Sequence, residues 1–230
     1  MNTLGIDHHL DWPRIRHLFK VGIFAGLVAL SADILLGWGV AQEEISGLDG
    51  YFPRYLTVSD GRIFASALLG MIGIPAECLS YFGIYRLMAG GAPKHAHAYR
   101  AGLLGMLTFG ALTHVMCCAT VFYYRRMHAI APATAAADTV RFALWFLLPA
   151  TAIFFLFFCI TALVQISAFA KGKTPYPKRC WVFSLLFGSV FIVVMKLLGN
   201  HPLTNALSTG WISLGSLWML GGLLVTMKKL

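Results

Sequence analysis

Long apolar stretches alternate with shorter polar segments along the whole chain. The apolar stretches cover about residues 19–40, 62–85, 101–124, 139–168, 181–199 and 207–227. Each is close to or above the ~20 residues that an α-helix needs to cross a bilayer. The pattern therefore predicts an all-α, polytopic membrane protein. Its six transmembrane helices would form one bundle, a single integral membrane domain over residues 1–230.

The composition agrees with a membrane protein, since 58% of the residues are hydrophobic and 12% are charged. Soluble domains have about 45–50% and about 25% respectively. The net charge of +9 is spread unevenly over the segments between the stretches. With the N-terminus inside, the outer segments hold Arg54, Arg62, Arg125, Arg126 and Arg141. The outer acids are Glu43, Glu44, Asp49, Asp60 and Asp138.

Many more basic residues fall on the inner side of the same arrangement: Arg14, Arg16, Lys20, Arg86, Lys94, Arg100, Lys171, Lys173, Lys178, Arg179, Lys228 and Lys229. Because basic residues concentrate in cytoplasmic segments, this bias predicts that both termini face the cytoplasm in a cell membrane (N-in/C-in). The charge is therefore interpreted as a topology signal and not as a sign of nucleic-acid binding. The first apolar stretch exceeds the usual 7–15 residues of a signal peptide, so we expect it to remain as an anchor.

An acidic residue lies in the middle of the first apolar stretch. At helical spacing, Asp33 shares one face with the small residues Gly22, Gly26, Ala29 and Gly37. A carboxylate at the centre of a bilayer costs ~2.5–3.5 kcal/mol even on a lenient insertion scale, and small residues allow a neighbouring helix to approach closely. We therefore expect Asp33 to face other helices, which supply its polar partners.

Other stretches also carry polar residues beside small ones. Glu77 follows Pro75 in the second stretch, and His114 lies in the third. Further candidates lie in the first stretch, near the outer ends of the later ones or in the last one: Ser31, Arg141, Lys196, Asn200, His201, Asn205, Thr209 and Ser213. Their convergence predicts a polar pocket that opens outward and binds a small or lipid-derived ligand. Glu77 would lie at its floor, and Lys196 and His201 at its rim.

These residue types suit a membrane-embedded enzyme. Asp33, Glu77 and His114 are able to act in acid–base catalysis, and the same three residues with His201 are candidate ligands of a divalent metal ion. The cofactor prediction is therefore a possible divalent metal.

The trio Ser31, Asp33 and His114 is faintly similar to residues of the membrane hydrolases related to alkaline ceramidases and adiponectin receptors. That resemblance implies a serine, an aspartate and three histidines around zinc. The H-x-x-x-H pair of that family is absent, because Asn205 follows His201 at the fourth position. That family also has seven spans, against the six predicted here.

Two further functions stay open from the sequence. Six short spans around an outward pocket are similar in layout to the substrate-capture subunits of vitamin importers, so the protein is a candidate transporter subunit with Pro75 and Pro149 in broken helices. Alternatively, the polar residues form only a packing network, in which Asp33 pairs with His114 or Lys196.

The partners are also left open between several classes. The bilayer and a small or lipid-like ligand are expected in every functional interpretation. The G-x-x-x-G of Gly22 and Gly26 is able to form a homodimer, although packing within one chain is expected because Asp33 shares the stripe. A partner membrane subunit is the other possibility. The aromatic residues of the first outer loop, Tyr51, Phe52 and Tyr55, form either a lid over the pocket or an interfacial belt.

Overall fold

The computed structural model describes residues 10–41 and 47–227, and every regular element in these ranges is helical. Four helical segments are long and apolar enough to cross a membrane: Trp12–Gly37, Asp60–Ala89, Pro93–Ile130 and Ala135–Ala170. A fifth candidate is the pair Pro202–Thr209 and Trp211–Met227, whose helices meet at 67°. Glu43, Glu44, Lys228 and Lys229, which entered the charge count, lie outside the described residues.

The helices are α1 (Trp12–Gly37), α2 (Leu48–Tyr51), α3 (Asp60–Ser80), α4 (Phe82–Ala89), α5 (Pro93–Ile130), α6 (Ala135–Phe142), α7 (Leu148–Ala170), α8 (Gly188–Leu197), α9 (Pro202–Thr209) and α10 (Trp211–Met227). Short 3-10 turns cover Phe52–Tyr55, Lys178–Val182 and Leu185–Phe187, and a π-helical turn covers Ala143–Leu147.

Helix α1 begins at a side-chain cap and packs through its small residues. The Asp11 carboxylate accepts a hydrogen bond from the Arg14 backbone N–H at 3.0 Å, which satisfies a donor of the first turn. On the predicted stripe, a Cβ on Gly73 of α3 would lie 2.8 Å from the backbone nitrogen of Ala29. Helices α1 and α3 therefore meet at backbone distance, which only small residues permit.

Two arginines bind the C-terminal carbonyls of α1. Arg54 Nη2 donates to the Gly37 carbonyl oxygen at 2.9 Å, and Arg62 Nη2 donates to that of Leu35 at 2.7 Å. The last turn of a helix has unpaired carbonyls and a partial negative charge. These two arginines, counted only for topology in the sequence, therefore have a structural role.

The fifth and sixth apolar stretches differ from the predicted single helices. Residues 181–199 contain 3-10 turns followed by α8, which has 10 residues. Residues 207–227 do not form one helix, because the chain bends at Gly210 between α9 and α10. His201 is the N-cap of α9. The six-span count is thus not established by these helices, while the all-helical class is.

Candidate functional site

A cavity of about 500 Å³ lies inside the helix bundle. Apolar side chains form most of its wall, and Asp33, Glu77, His114, Thr209 and Ser213 are the predicted site residues that line it. They come from α1, α3, α5, α9 and α10. Five helices therefore each contribute one of these residues to the wall of the same cavity.

Asp33 is held between α5 and α10. Its Oδ2 accepts a hydrogen bond from the Ser213 hydroxyl at 2.9 Å, and its Oδ1 lies 3.4 Å from His114 Nδ1. His114 is itself buried against α3, where a Cβ on Gly70 would overlap the imidazole ring. The glycine thus makes room for the ring, and the Asp33 carboxylate joins α5 and α10 to α1.

The neighbours of His114 assign a hydrogen to its Nε2 atom. On the far side of the ring, Nε2 lies 3.1 Å from the Ser66 carbonyl oxygen and 3.2 Å from the Ser66 hydroxyl oxygen, while that hydroxyl donates to the Ala32 carbonyl. Nε2 therefore faces acceptors and carries a hydrogen. Nδ1 faces the Asp33 carboxylate, with 3.4 Å between Nδ1 and Oδ1.

A second polar group lies deeper along the cavity. The Tyr81 hydroxyl lies 2.7 Å from Glu77 Oε1 and 2.8 Å from Ser216 Oγ, so the buried Glu77 is tied to α10. A Cβ on Gly26 would lie 3.9 Å from Glu77 Cδ. Asp33 lies seven residues after Gly26 on α1, and a helix rises about 1.5 Å per residue. The carboxyl groups of Asp33 and Glu77 are therefore about 10 Å apart along the axis of α1.

The cavity opens toward the side of the bundle, at the π-turn and the first part of α7. Three of its lining residues there are exposed: Leu144 at 55%, Leu148 at 51% and Phe155 at 37%. At another part of the lining, Leu36 at 4% and Phe52 at 9% are buried. Helices α7 and α10 meet beside this opening, where the Trp211 and Phe155 rings stack with 6.2 Å between their centroids.

The π-turn beside the opening has a local cause. Proline lacks an N–H and its ring clashes with the carbonyl four residues earlier, which for Pro149 is that of Trp145. A widened turn over Ala143–Leu147 accommodates this clash, and such turns are frequent at functional sites. The turn directs Ala143, Leu144 and Leu147 toward the cavity.

The 3-10 turn Phe52–Tyr55 lies at the end of the cavity that Leu36 also lines. Phe52 lines the cavity and stacks on Tyr124 with 4.9 Å between ring centroids. Next to it, the buried Arg54 guanidinium lies 4.9 Å from the Tyr51 ring centroid and 5.1 Å from that of Tyr55. Burial raises the pKa of Tyr55 well above its ordinary value, so its ring is a neutral phenol. The turn thus contributes Phe52 to the cavity wall.

Four predicted ligand-binding residues lie away from this cavity. Ser31 is exposed and donates to the Leu27 carbonyl oxygen of its own helix at 2.8 Å. Arg141 and Lys196 are exposed, and neither lines the cavity. His201 is exposed too, because its Nδ1 caps α9. The predicted rim of Lys196 and His201 is therefore wrong, since polar groups at the ends of helices have caps and solvent as alternatives.

Asn200 and Asn205 bind backbone instead of lining the cavity. Asn200 Nδ2 donates to the Ala41 carbonyl oxygen at 2.8 Å while its Oδ1 accepts from the Ala41 N–H at 3.3 Å. Asn205 Nδ2 donates to the Gly39 carbonyl oxygen at 2.8 Å. The two asparagines hold the segment after α1 against the start of α9.

The candidate metal ligands do not come together. Within residues 10–41 and 47–227, no three His, Cys, Asp or Glu side chains are grouped as metal ligands. Asp33 and His114 form a pair, whereas Glu77 bonds to Tyr81 at a different depth of the cavity. His201 caps helix α9 outside the cavity.

A family model described as a family of unknown function, DUF6796, matches residues 1–230. The chain belongs to DUF6796. No curated protein and no solved structure shows significant similarity to it.

In this DUF6796 chain, the Ser66, His114 and Asp33 side chains are arranged in space like a hydrolase triad, with the imidazole between the hydroxyl and the carboxylate. The sequence interpretation missed this arrangement. Ser66 is fully buried and does not line the cavity, and its hydroxyl proton is given to the Ala32 carbonyl. A nucleophile has to reach its substrate, so the serine here positions the imidazole. Its place on the Glu77 face of the second stretch was the only signal in the sequence.

Proposed function

We propose that this chain is an integral membrane protein that binds a lipid-derived ligand in the cavity. The observation that supports this proposal is the combination of an apolar wall, an opening at the side of the bundle, and the Asp33–His114 pair inside. Binding sites are typically apolar with a few placed polar groups. The acyl chain would lie along the wall, with its polar end at Asp33 and Ser213.

The topology belongs to the same proposal. The apolar segment Leu185–Leu197, taken as a short span, adds to the five candidates and gives six. With basic residues concentrated on one side, both termini would face the cytoplasm of a cell membrane. The cavity opening would then face acyl chains, and the ligand would enter from the bilayer.

The experiment fills the cavity and compares binding with a matched variant. Leu147→Trp places a large ring into the cavity wall, while Leu163→Trp makes the same change at an exposed position of α7 that does not line the cavity. Binding of monododecanoylglycerol, a single-chain amphiphile, is measured by native mass spectrometry of protein released from detergent micelles. We expect Leu147→Trp to reduce the bound fraction at least tenfold and Leu163→Trp to leave it unchanged.

Equal binding by both variants and the wild type would contradict the proposal, because the amphiphile would then occupy the outer surface and not the cavity. Thermal unfolding of each variant shows whether it is folded under the conditions of the binding measurement.

A transport role is the second candidate, and the bend between α9 and α10 favours it. A Cβ on Gly210 would lie 3.2 Å from Asp33 Cβ, so the helix break lies next to the polar site. Broken helices beside a central site are common in transporters. In proteoliposomes, a transporter would move a fluorescent amphiphile between leaflets, which added dithionite detects, whereas a binding protein would leave it in its own leaflet.

A further inference from the structure

Two threonines of the cavity face each other across α5 and α7. The two helices run antiparallel with glycines of α5 against side chains of α7, in the pairs Gly102 with Thr161, Gly105 with Phe157, and Gly110 with Phe154. Continuing this register places Thr113 opposite Thr151, and both line the cavity. Thr113 directly precedes His114, so the two hydroxyls lie at the depth of the Asp33–His114 pair.

Both hydroxyls are buried and have no hydrogen-bond partner among the residues that the structure describes. Other threonines of these helices donate to the carbonyl one turn earlier: Thr108 to Leu104 at 2.9 Å, Thr120 to Met116 at 2.7 Å and Thr161 to Phe157 at 2.8 Å. That bond is the usual way to satisfy a helical threonine. Thr113 and Thr151 do not make this bond, so two unpaired hydroxyls lie beside the cavity that both residues line.

The charge of the cavity restricts the group that fits between them. No lysine or arginine is among the described residues that line it, and His114 is already engaged at both ring nitrogens. A phosphate or carboxylate would meet Asp33 without a free cation to bind it, which is unfavourable in a buried site. A neutral hydroxyl donates to Asp33 and both donates to and accepts from the threonines.

Resting on the proposed function, we infer that the cavity selects a single-chain amphiphile whose uncharged head group carries at least two hydroxyls. One hydroxyl donates to Asp33 beside Ser213, and another is bound between Thr113 and Thr151. The chain extends along the apolar residues of the π-turn and α7.

The test removes each threonine hydroxyl without changing the shape of the side chain. Thr113→Val and Thr151→Val are compared with Thr108→Val, a control on α5 whose hydroxyl is bonded within the helix. Native mass spectrometry measures the dissociation constant for monododecanoylglycerol, dodecyl phosphate and dodecanoate. We expect each cavity variant to weaken monododecanoylglycerol binding about tenfold, a typical loss for one buried hydrogen bond. We expect Thr108→Val to have no effect and both anions to bind at least tenfold more weakly.

The outcomes separate the inference from the proposed function. Suppose that Leu147→Trp abolishes binding. If the Thr113 and Thr151 variants then behave like Thr108→Val, or if dodecyl phosphate binds as well as monododecanoylglycerol, the head-group assignment is overturned. The proposed binding of amphiphiles in the cavity would still stand. If Leu147→Trp changes the binding of none of the three probes, both the inference and the proposed function fall. Because the cavity variants remove an unpaired buried hydroxyl, we expect their unfolding temperature to equal or exceed that of the wild type.

Discussion

At the scale of single residues, the contacts of Asp33 determine both packing and chemistry. Its carboxylate accepts from Ser213 and lies next to the His114 ring, so one side chain connects α1, α5 and α10. The side chain of Asp33 keeps 16% of its surface exposed. That surface is available to a ligand because Asp33 lines the cavity.

The change Asp33→Asn is expected to lower the free energy of unfolding by about 1–3 kcal/mol, because it replaces charge-assisted contacts by neutral ones. Unfolding in bicelles by steric trapping measures the loss. A double-mutant cycle with Ser213→Ala should show a coupling energy of about 0.5 kcal/mol or more. Unchanged stability together with zero coupling would show that the contacts to Asp33 do not stabilise the fold.

The change Gly70→Ala tests the space that the His114 ring needs. A new Cβ at this position overlaps the ring, and overpacking a buried site costs about 1–3 kcal/mol. Gly61→Ala on the same helix is the control, since a Cβ there has no atom within 4 Å and alanine favours helix by up to ~1 kcal/mol. Equal unfolding free energies for both variants would contradict the described ring position.

The sequence predicted the central site residues better than the outer ones. Asp33, Glu77, His114 and Ser213 lie in apolar helices, where a polar side chain has few possible partners except other polar side chains of the bundle. Lys196, near the end of α8, is able to reach the head-group region instead. The partners of His114 were not predictable, because spacing along one helix gives the face of a residue but not the rotation of its neighbours.

At the scale of elements, the ends and breaks of the helices place the site. A continuous helix over residues 207–227 was predicted because a single glycine inside a helical pattern costs only ~1 kcal/mol. The bend at Gly210 depends on the tertiary contact with α1, where Leu30 and Asp33 leave no room for a side chain. Residues 181–199 looked like a span because composition alone does not distinguish α from 3-10 turns.

We expect Pro149→Ala to remove the π-turn, because alanine restores the N–H that bonds the Trp145 carbonyl. A π-turn contains one residue more than an α-turn. Its removal would therefore rotate the residues before Pro149 by about 100° around the helix axis relative to α7. Leu144 and Leu147 would then leave the cavity, so monododecanoylglycerol binding should weaken while thermal stability stays equal or increases. Labelling of Leu144→Cys by a thiol reagent, with and without Pro149→Ala, measures the rotation. Identical labelling and binding would contradict this cause of the turn.

Arg54→Gln tests the arginine at the end of α1. The change leaves the Gly37 carbonyl without its charged donor and should lower the free energy of unfolding by about 1–3 kcal/mol. Arg141→Gln alters an exposed arginine and should stay within about ±0.5 kcal/mol. A loss of the same size in both variants would indicate a general effect of outer positive charge and not a helix-end contact.

At the scale of the whole molecule, four to five candidate spans are evident, and the orientation rests on the charge distribution. Two glycines with open space around them lie at opposite ends of the α3–α4 segment: Gly61 and Gly90. In a variant with all five native cysteines replaced by alanine, we expect Gly61→Cys to react with a membrane-impermeant maleimide in intact cells. Gly90→Cys should react only after lysis. The reverse pattern would place both termini outside.

The segment Leu185–Leu197 is only thirteen residues long and extends about 21 Å at the rise of its 3-10 and α turns. In the proposed six-span arrangement, a hydrocarbon core of ~30 Å would be too thick for this segment, so the surrounding lipid would have to thin locally. This segment packs on α9 and α10, which line the cavity through Thr209, Ile212 and Ser213. In a locally thinned bilayer, the polar head group of a ligand would cross a shorter distance of hydrocarbon before it reaches Asp33.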